Sequence, residues 1–135
     1  MTEMGAEGDQ EGLSGVAGPI LVVDDDAQLQ RTIQWLLEDE GLTVETASNG
    51  EEALARAESL HPALVILDLN LPALDGEGVA HGLRATQGGG VRILVISSDS
   101  RIQQRAQKVG AIKWLSKPFE IDDLVAAVWQ ALATN

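Results

Sequence analysis

The sequence contains no cysteine among its 135 residues. This absence excludes disulfide bonds, thiolate zinc sites and cysteine nucleophiles. Basic residues are also scarce: nine Lys and Arg stand against 21 Asp and Glu, and the net charge is −12. Because contacts to nucleic-acid phosphates need Lys and Arg, this charge argues against nucleic acid as a direct partner. The nearest approach to a basic cluster is Arg101, Arg105 and Lys108, which we interpret as a solvated helix face.

Long apolar runs are missing as well. No stretch approaches the ~20 apolar residues that a bilayer-crossing helix needs. The N-terminus has neither a basic start nor an apolar core, so it is not a signal peptide. We therefore expect a cytoplasmic protein without a membrane partner. Residues 1–18 carry four acids and no base and are rich in glycine, which predicts a disordered acidic tail. Residues 19–135 are enough for one domain with one core.

Apolar runs and helical patterns alternate after the tail. The predicted strands are "ILVV", "LTVETA", "ALVIL", "RILVIS" and "AIKWL", and the predicted helices cover residues 27–40, 49–57, 75–85, 99–108 and 120–133. Five strands alternating with five helices indicate an α/β fold with a parallel sheet covered on both faces. Strands 1, 3 and 4 are apolar throughout and are predicted to be central. Strand 2, with Glu45, and strand 5, with Lys113, look like edges, so we predict the order 2-1-3-4-5.

Polar side chains follow four of these strands. Since the carboxyl ends of parallel strands meet at one edge of the sheet, we expect these side chains to lie close together. They are Asp24, Asp25 and Asp26 after strand 1, Asp68 after strand 3, Ser97 and Ser98 after strand 4, and Lys117 after strand 5. The sequence therefore predicts a cluster of carboxylates with a hydroxyl and an ammonium group.

The expected cluster has the chemistry of a phosphoryl site. Carboxylates packed together repel one another unless a cation is present. Oxygen ligands without His or Cys favour a hard cation such as Mg²⁺, which takes only one or two protein carboxylates and leaves room for a phosphoryl oxygen. Lys117 can pair with a second phosphoryl oxygen, and Ser97 can donate to a third. Asp68, at the centre, can carry the phosphoryl group as an aspartyl phosphate.

Each piece also has an ordinary structural interpretation. Three aspartates before a helix often cap it, Asp75-Gly76 is a common turn pair, and a lysine before proline is usually solvated. Serines are frequent in loops. The conjunction argues otherwise, because four independent strand ends each supply one member of the same site.

These motifs resemble the receiver (CheY-like) domain of bacterial two-component response regulators. The resemblance runs from residue 19 to 133 and is carried by "ILVVDDD" (20–26), "LVILDLNLPALDG" (64–76), "LVISS" (94–98) and "KPF" (117–119). It implies a flavodoxin-like, doubly wound five-stranded sheet for residues 19–135. It also implies a Mg²⁺ site, in which Mn²⁺ can substitute. Asp68 is then the phosphoacceptor, and Asp25 and Asp68 bind the metal ion through their carboxylates. Asn70 binds it through the backbone carbonyl, and Asp24 acts through water or behind the direct ligands.

The resemblance assigns switch roles to the other positions. Ser97 matches the switch hydroxyl, Lys117 the phosphate-pairing lysine, and the Lys117-Pro118 peptide is expected to be cis. Two positions depart from the commonest pattern. Ser97 stands where threonine is more frequent, which leaves its side chain less restricted. Trp114 stands at the aromatic switch position, where Tyr or Phe is usual, and it is also interpretable as a core aromatic.

The resemblance implies phosphorelay signalling. A sensor histidine kinase or a histidine phosphotransfer protein would phosphorylate Asp68, and the domain would catalyse this transfer and a slow dephosphorylation without being an enzyme otherwise. Helix 4, strand 5 and helix 5 would present the switched surface to a downstream protein. Three alternatives remain: a phosphorylation-independent interaction module of the same fold, an N-terminal fragment of a larger transcriptional regulator, or a Mg²⁺-dependent phosphatase. Such phosphatases usually place a second acid two residues after the nucleophile, where this sequence has Asn70.

Overall fold

The structure, a computed structural model, describes residues 18–72, 75–88 and 90–134. The predicted acidic tail lies outside these residues apart from Gly18. Strands and helices alternate along the described chain. They are β1 (Ile20–Val23), α1 (Ala27–Asp39), β2 (Val44–Ala47), α2 (Gly50–Leu60), β3 (Leu64–Asp68), α3 (Gly76–Gln87), β4 (Ile93–Ser97), α4 (Ile102–Lys108), β5 (Lys113–Ser116) and α5 (Ile121–Ala133).

The five strands form one parallel sheet in the order β2-β1-β3-β4-β5, as predicted. In the register of the central strands, Ile66 of β3 lies between Val22 of β1 and Leu94 of β4. Every residue of β1, β3 and β4 is buried, whereas residues of β5 alternate between partly buried and exposed. Among the described residues, each helix is too short or too polar to span a membrane.

Two apolar layers flank the sheet. Alternate residues of the central strands point to opposite faces, so Leu21 and Leu67 belong to one layer, and Ile20 and Ile66 to the other. Helices α2, α3 and α4 cover the first layer, and α1 and α5 cover the second. Because both faces are covered, the central strands are apolar along their whole length. In β1, β3 and β4 the polar side chains are thereby confined to the carboxyl ends of the strands.

The helix boundaries differ from the predicted ones for local reasons. Helix α2 runs to Leu60 rather than residue 57, and its C-cap is His61, which has a φ of 49°. Helix α3 begins one residue later than predicted because Asp75 is its N-cap and accepts a bond from the Gly78 N–H at 2.9 Å. Helix α4 begins at Ile102 rather than residue 99, since Asp99 closes a turn in which its carboxylate accepts from the Arg101 N–H at 2.8 Å.

Gly76 allows α3 to approach the end of β3 closely. A Cβ at this position would lie 2.5 Å from the Cα of Leu69, and the Gly76 N–H donates to the Leu69 carbonyl at 3.3 Å. Alanine normally stabilises a helix by up to ~1 kcal/mol relative to glycine. Here we expect Gly76→Ala to lower the free energy of unfolding by about 2 kcal/mol, because backbone must move to admit the methyl group. Denaturant unfolding measures this change.

The matched control is Gly82→Ala in the same helix. The three heavy atoms nearest to a Cβ at Gly82 all belong to the Leu54 side chain, with its methyl groups at 2.7 and 2.9 Å, and this flexible side chain can shift. The free energy of unfolding should then change by less than about 0.5 kcal/mol. Equal effects of the two substitutions would show that the approach of α3 to Leu69 is not tight.

Candidate phosphoryl-transfer site

The three consecutive aspartates after β1 have three different environments. Asp24 is fully buried, and its Oδ1 accepts a hydrogen bond from the Asp26 N–H at 2.9 Å. Asp25 is exposed. Asp26 is the N-cap of α1, because its Oδ1 accepts from the N–H groups of Gln28 and Leu29 at 3.0 and 3.1 Å. The capping interpretation of "DDD" therefore holds for Asp26, which leaves Asp24 and Asp25 for the site.

Gln30 fixes the turn between β1 and α1, a role that was not predicted from the sequence. Its side chain is 8% exposed, and its Nε2 donates to the carbonyls of Asp24 and Ala47, both at 2.9 Å. These bonds tie the end of β1 to the end of β2. A glutamine next to the apolar stripe of Leu29 and Ile33 is the only trace of this role in the sequence.

Asp68 and Lys117 form the centre of the site. Asp68 ends β3 and is 3% exposed, and its Oδ1 accepts from the Asn70 N–H at 2.9 Å. The Lys117 Nζ lies 3.2 Å from Asp68 Oδ2 and 2.9 Å from Asp24 Oδ2. The Lys117 N–H donates to the Ser97 carbonyl at 2.9 Å, which places the lysine beside β4. Lys117 is thus a bridging cation between two buried carboxylates rather than a solvated side chain.

For both Asp24 and Lys117, burial shifts the pKa in one direction and the opposite charge of the partner shifts it in the other. Burial raises the pKa of the Asp24 carboxyl, although hydrogen bonds from Asp26 and Lys117 oppose the change. Burial alone would lower the pKa of Lys117, but the hydrogen bond to Asp24 and the charges of Asp24 and Asp68 outweigh it and raise that pKa. With Asp25 alongside, three carboxylates face one ammonium group. A second cation at this cluster would be favourable.

The carboxylates can hold such a cation. One oxygen each from Asp24, Asp25 and Asp68 lies within 4.8 Å of the others. Mg²⁺ binds oxygen at about 2.0–2.1 Å, so two ligands on opposite sides of the ion are about 4.2 Å apart. The oxygen-only donor set and this spacing fit a hard cation such as Mg²⁺. Asp24 belongs to the same cluster as Asp25, and the Oδ2 of Asp24 is also bonded by the Lys117 ammonium group.

Ser97 is the fourth member of the site. It is fully buried, and its Oγ accepts bonds from the Asn70 Nδ2 at 3.1 Å and from the Asp99 N–H at 3.0 Å. A hydroxyl accepts two bonds and donates one, so the Ser97 proton can still be given to an oxygen in the site. Only the backbone carbonyl of Asn70 was predicted to act in the site, whereas its side chain also contacts Ser97.

A family model described as the response regulator receiver domain matches residues 20–129. The chain belongs to this receiver domain family. Among curated proteins, the receiver is 39% identical over 118 residues to the transcriptional regulatory protein PrrA of Mycobacterium leprae, covering 85% of the receiver chain and 50% of PrrA. It is 37% identical over 116 residues to the DNA-binding response regulator MtrA of Mycolicibacterium paratuberculosis, covering 86% and 52%. The chain therefore spans about half the length of these relatives.

Solved structures agree with the fold of this receiver. The receiver domain of NtrX from Brucella abortus is 32% identical with a TM-score of 0.79, and the match covers 86% of this chain and 99% of that one. A putative response regulator from Chloroflexus aurantiacus J-10-fl is 31% identical with a TM-score of 0.81, and coverage is 87% and 98%. The predicted family and fold are both confirmed.

Arg105 of the receiver is not on a solvated face, so that prediction was wrong for this residue. The Arg101 side chain is 70% exposed and Lys108 is exposed, but the Arg105 side chain is only 19% exposed. Position 105 lies three residues after Ile102, on the buried side of α4, which is a signal the periodicity contained. Arg105 pairs with Glu77 at 2.7 Å, and its hydrogen bond lowers the pKa of Glu77.

The remaining predicted positions of the receiver are Trp114, the Lys117-Pro118 peptide and Ser98. Trp114 lies on β5 and is 40% exposed, and its switch role stays a prediction. The Lys117-Pro118 peptide is cis. Ser98 is exposed and lines, with Leu29, Lys117, Pro118 and Phe119, a groove of 340 Å³ beside the site. Lys117 is the residue that this groove shares with the site.

Proposed function

We propose that this receiver domain accepts a phosphoryl group on Asp68 from a sensor histidine kinase or a histidine phosphotransfer protein. The observation that carries the proposal is the Lys117 ammonium bridging Asp68 and Asp24, with a carboxylate oxygen of Asp25 within 4.8 Å of theirs. A carboxylate oxygen of Asp68 forms the new P–O bond while the P–N bond of phosphohistidine breaks, and the imidazole takes the electron pair of that bond. Attack by a carboxylate oxygen needs no general base, because an ionised carboxylate has no proton to remove.

The surrounding residues orient Asp68 and neutralise the charge on the phosphoryl oxygens. The Asn70 N–H holds Asp68 Oδ1, and Lys117 can turn from Asp24 to a phosphoryl oxygen. Ser97 can donate its proton to another phosphoryl oxygen. Asp25, Asp68 and the backbone carbonyl of Asn70 would hold Mg²⁺, with Asp24 beside them. When bound, the ion neutralises charge on the phosphoryl oxygens.

The partners and the location of the receiver are part of the proposal. The donor would approach along the groove of Leu29 and Phe119, and a downstream protein would contact α4, β5 and α5. Trp114 and Ile121, which are 40% and 56% exposed, are the large apolar side chains on that surface. Self-catalysed phosphorylation and slow self-dephosphorylation are the only chemistry we assign, and the predicted cytoplasmic location stays a prediction.

A second proposal concerns the whole protein. The relatives named as transcriptional or DNA-binding regulators are about twice as long as the matched region. We propose that this domain can serve as the N-terminal input half of such a regulator, as the fragment alternative supposed. The length of the natural reading frame tests this. The interaction-module alternative is less favoured, because Asp24, Asp25, Asp68 and Lys117 are all present and clustered.

The function is tested by intact mass spectrometry of the chain with a small acyl phosphate, with and without Mg²⁺. We expect one alkali-labile phosphoryl adduct that forms only with Mg²⁺. The control is an incubation with inorganic phosphate, which has no activated group to transfer. If Mg²⁺ binds and no adduct forms, the phosphoacceptor proposal is wrong and the phosphorylation-independent module becomes the better description.

A further inference from the structure

Arg105 connects α4 to three other segments of the chain. Its Nε and Nη2 donate to the two carboxylate oxygens of Glu77 at 2.9 and 2.7 Å, a bidentate contact to the start of α3. Its Nη2 also donates to the Leu69 carbonyl at 3.2 Å. Its Nη1 donates to Asn70 Oδ1 and to Asp99 Oδ2, both at 3.0 Å. One guanidinium therefore holds the β3–α3 turn, the β4–α4 turn and α3 together.

Ser97 and Arg105 bind the same two residues. Ser97 Oγ accepts from the side chain of Asn70 and from the backbone of Asp99, and Arg105 donates to the side chains of both. Because both bonds fix the position of Ser97 Oγ, a rotation of this side chain toward a phosphoryl group on Asp68 would stretch or break at least one of them. Loss of a Ser97 contact frees Asn70 or Asp99, and each is a partner of Arg105.

Helix α4 depends on this connection. It has only seven residues, and no side chain caps its N-terminus. Within the helix, Ile102 and Ala106 are the buried residues. Such a helix has little apolar area to hold it in place. The Arg105 and Glu77 side chains are 19% and 27% exposed, so their bidentate pair is better shielded from water than a typical surface pair.

We propose that Arg105 is a positioning residue that holds α4 in the unphosphorylated conformation and releases it when Ser97 turns toward a phosphoryl group. This inference rests on the proposed phosphorylation of Asp68. Arg105 touches no reacting atom and acts through Asn70 and Asp99. In this scheme the Asp68 site controls α4 through two polar residues, and the opening of the Arg105 contacts is the event that follows phosphorylation.

The test compares Arg105→Gln with Arg101→Gln. Both substitutions remove one positive charge and the side-chain hydrogen bonds to Asp99, two from Arg101 and one from Arg105, but only Arg105 reaches Glu77 and Asn70. We expect amide hydrogen exchange in residues 102–109 of the unphosphorylated chain to be about 10-fold faster in Arg105→Gln, and unchanged in Arg101→Gln. Arg105→Lys keeps the charge without the bidentate contact and should give an intermediate rate.

Two further measurements distinguish a phosphorylation-dependent role of Arg105 from a purely structural contribution to α4. Phosphorylated wild type should exchange in residues 102–109 as fast as unphosphorylated Arg105→Gln. Arg105→Gln should also form the adduct with a small acyl phosphate about threefold faster than wild type, because the restraint on Ser97 and Asn70 is already lost.

The outcomes that overturn the inference differ from those that overturn the function. Equal exchange rates in the two arginine variants, or phosphorylated wild type that exchanges as slowly as the unphosphorylated chain, would overturn the positioning role while leaving the adduct in place. Absence of any adduct from wild type overturns the proposed function, and the release step with it.

Discussion

Asp68→Ala is expected to form no Mg²⁺-dependent phosphoryl adduct, a loss of at least ~10³-fold in the rate of labelling. Asp68 is the carboxylate at which the site converges: it ends the central strand β3, is 3% exposed, and is bonded by both Lys117 and the Asn70 N–H. Intact mass after incubation with a small acyl phosphate measures the loss. The alanine variant should remain folded, since Lys117 keeps Asp24 as its partner.

Controls place the phosphoryl group. Asp122→Ala, an exposed aspartate in the first turn of α5, should be labelled as wild type is. Asp25→Ala should still be labelled, but more slowly and at higher Mg²⁺ concentrations than wild type, because the nucleophile remains and one metal ligand is lost. An adduct of undiminished size in Asp68→Ala would assign the phosphoryl group to another residue and overturn the role of Asp68.

Lys117→Ala is expected to lower the free energy of unfolding without Mg²⁺ by about 3 kcal/mol. Asp24 is fully buried and Asp68 nearly so, and the substitution leaves both carboxylates without their ammonium partner. Removing one member of a buried ion pair typically costs ~3–5 kcal/mol, and the 22% exposure of the Lys117 side chain places the effect at the lower end. Denaturant unfolding at neutral pH measures it.

Two comparisons make this prediction specific. Lys108→Ala removes an exposed lysine and should change the free energy of unfolding by less than about 0.5 kcal/mol. Adding Asp24→Asn to Lys117→Ala should restore part of the loss, since one uncompensated charge is removed. Mg²⁺ should stabilise Lys117→Ala more than it stabilises wild type. A loss below about 1 kcal/mol, with no rescue by Asp24→Asn, would mean that water already compensates both carboxylates.

The strand order and the centre of the site were predictable because both follow from burial. The continuous apolar runs of β1, β3 and β4 can only be accommodated with helices on both faces, which makes them central. The carboxyl ends of parallel strands then bring Asp24, Asp68, Ser97 and Lys117 to one edge. No knowledge of helix packing is needed for either step, since strand direction and order are sufficient.

The contacts of Arg105 were not predictable in the same way. Its partners come from α3, from two turns and from a backbone carbonyl, so they depend on the distance between α3 and α4. That distance is fixed by tertiary packing and leaves no pattern in the sequence. The separate environments of Asp24, Asp25 and Asp26 are similarly hidden, because they depend on how sharply the chain turns after β1. The helix ends shifted for local reasons, at Asp75, Asp99 and His61.

The close contact between Gly76 and Leu69 has a consequence for the direction in which a signal can leave the site. On the β3 side, the start of α3 lies so near the backbone that even one methyl group has no room. The chain on this side of the site cannot be displaced without moving the whole of α3. On the β4 side, a seven-residue helix is attached largely by polar contacts. A new charge at Asp68 therefore lies between α3, which is packed too tightly to shift, and α4, which can shift. We expect the displacement to propagate through α4.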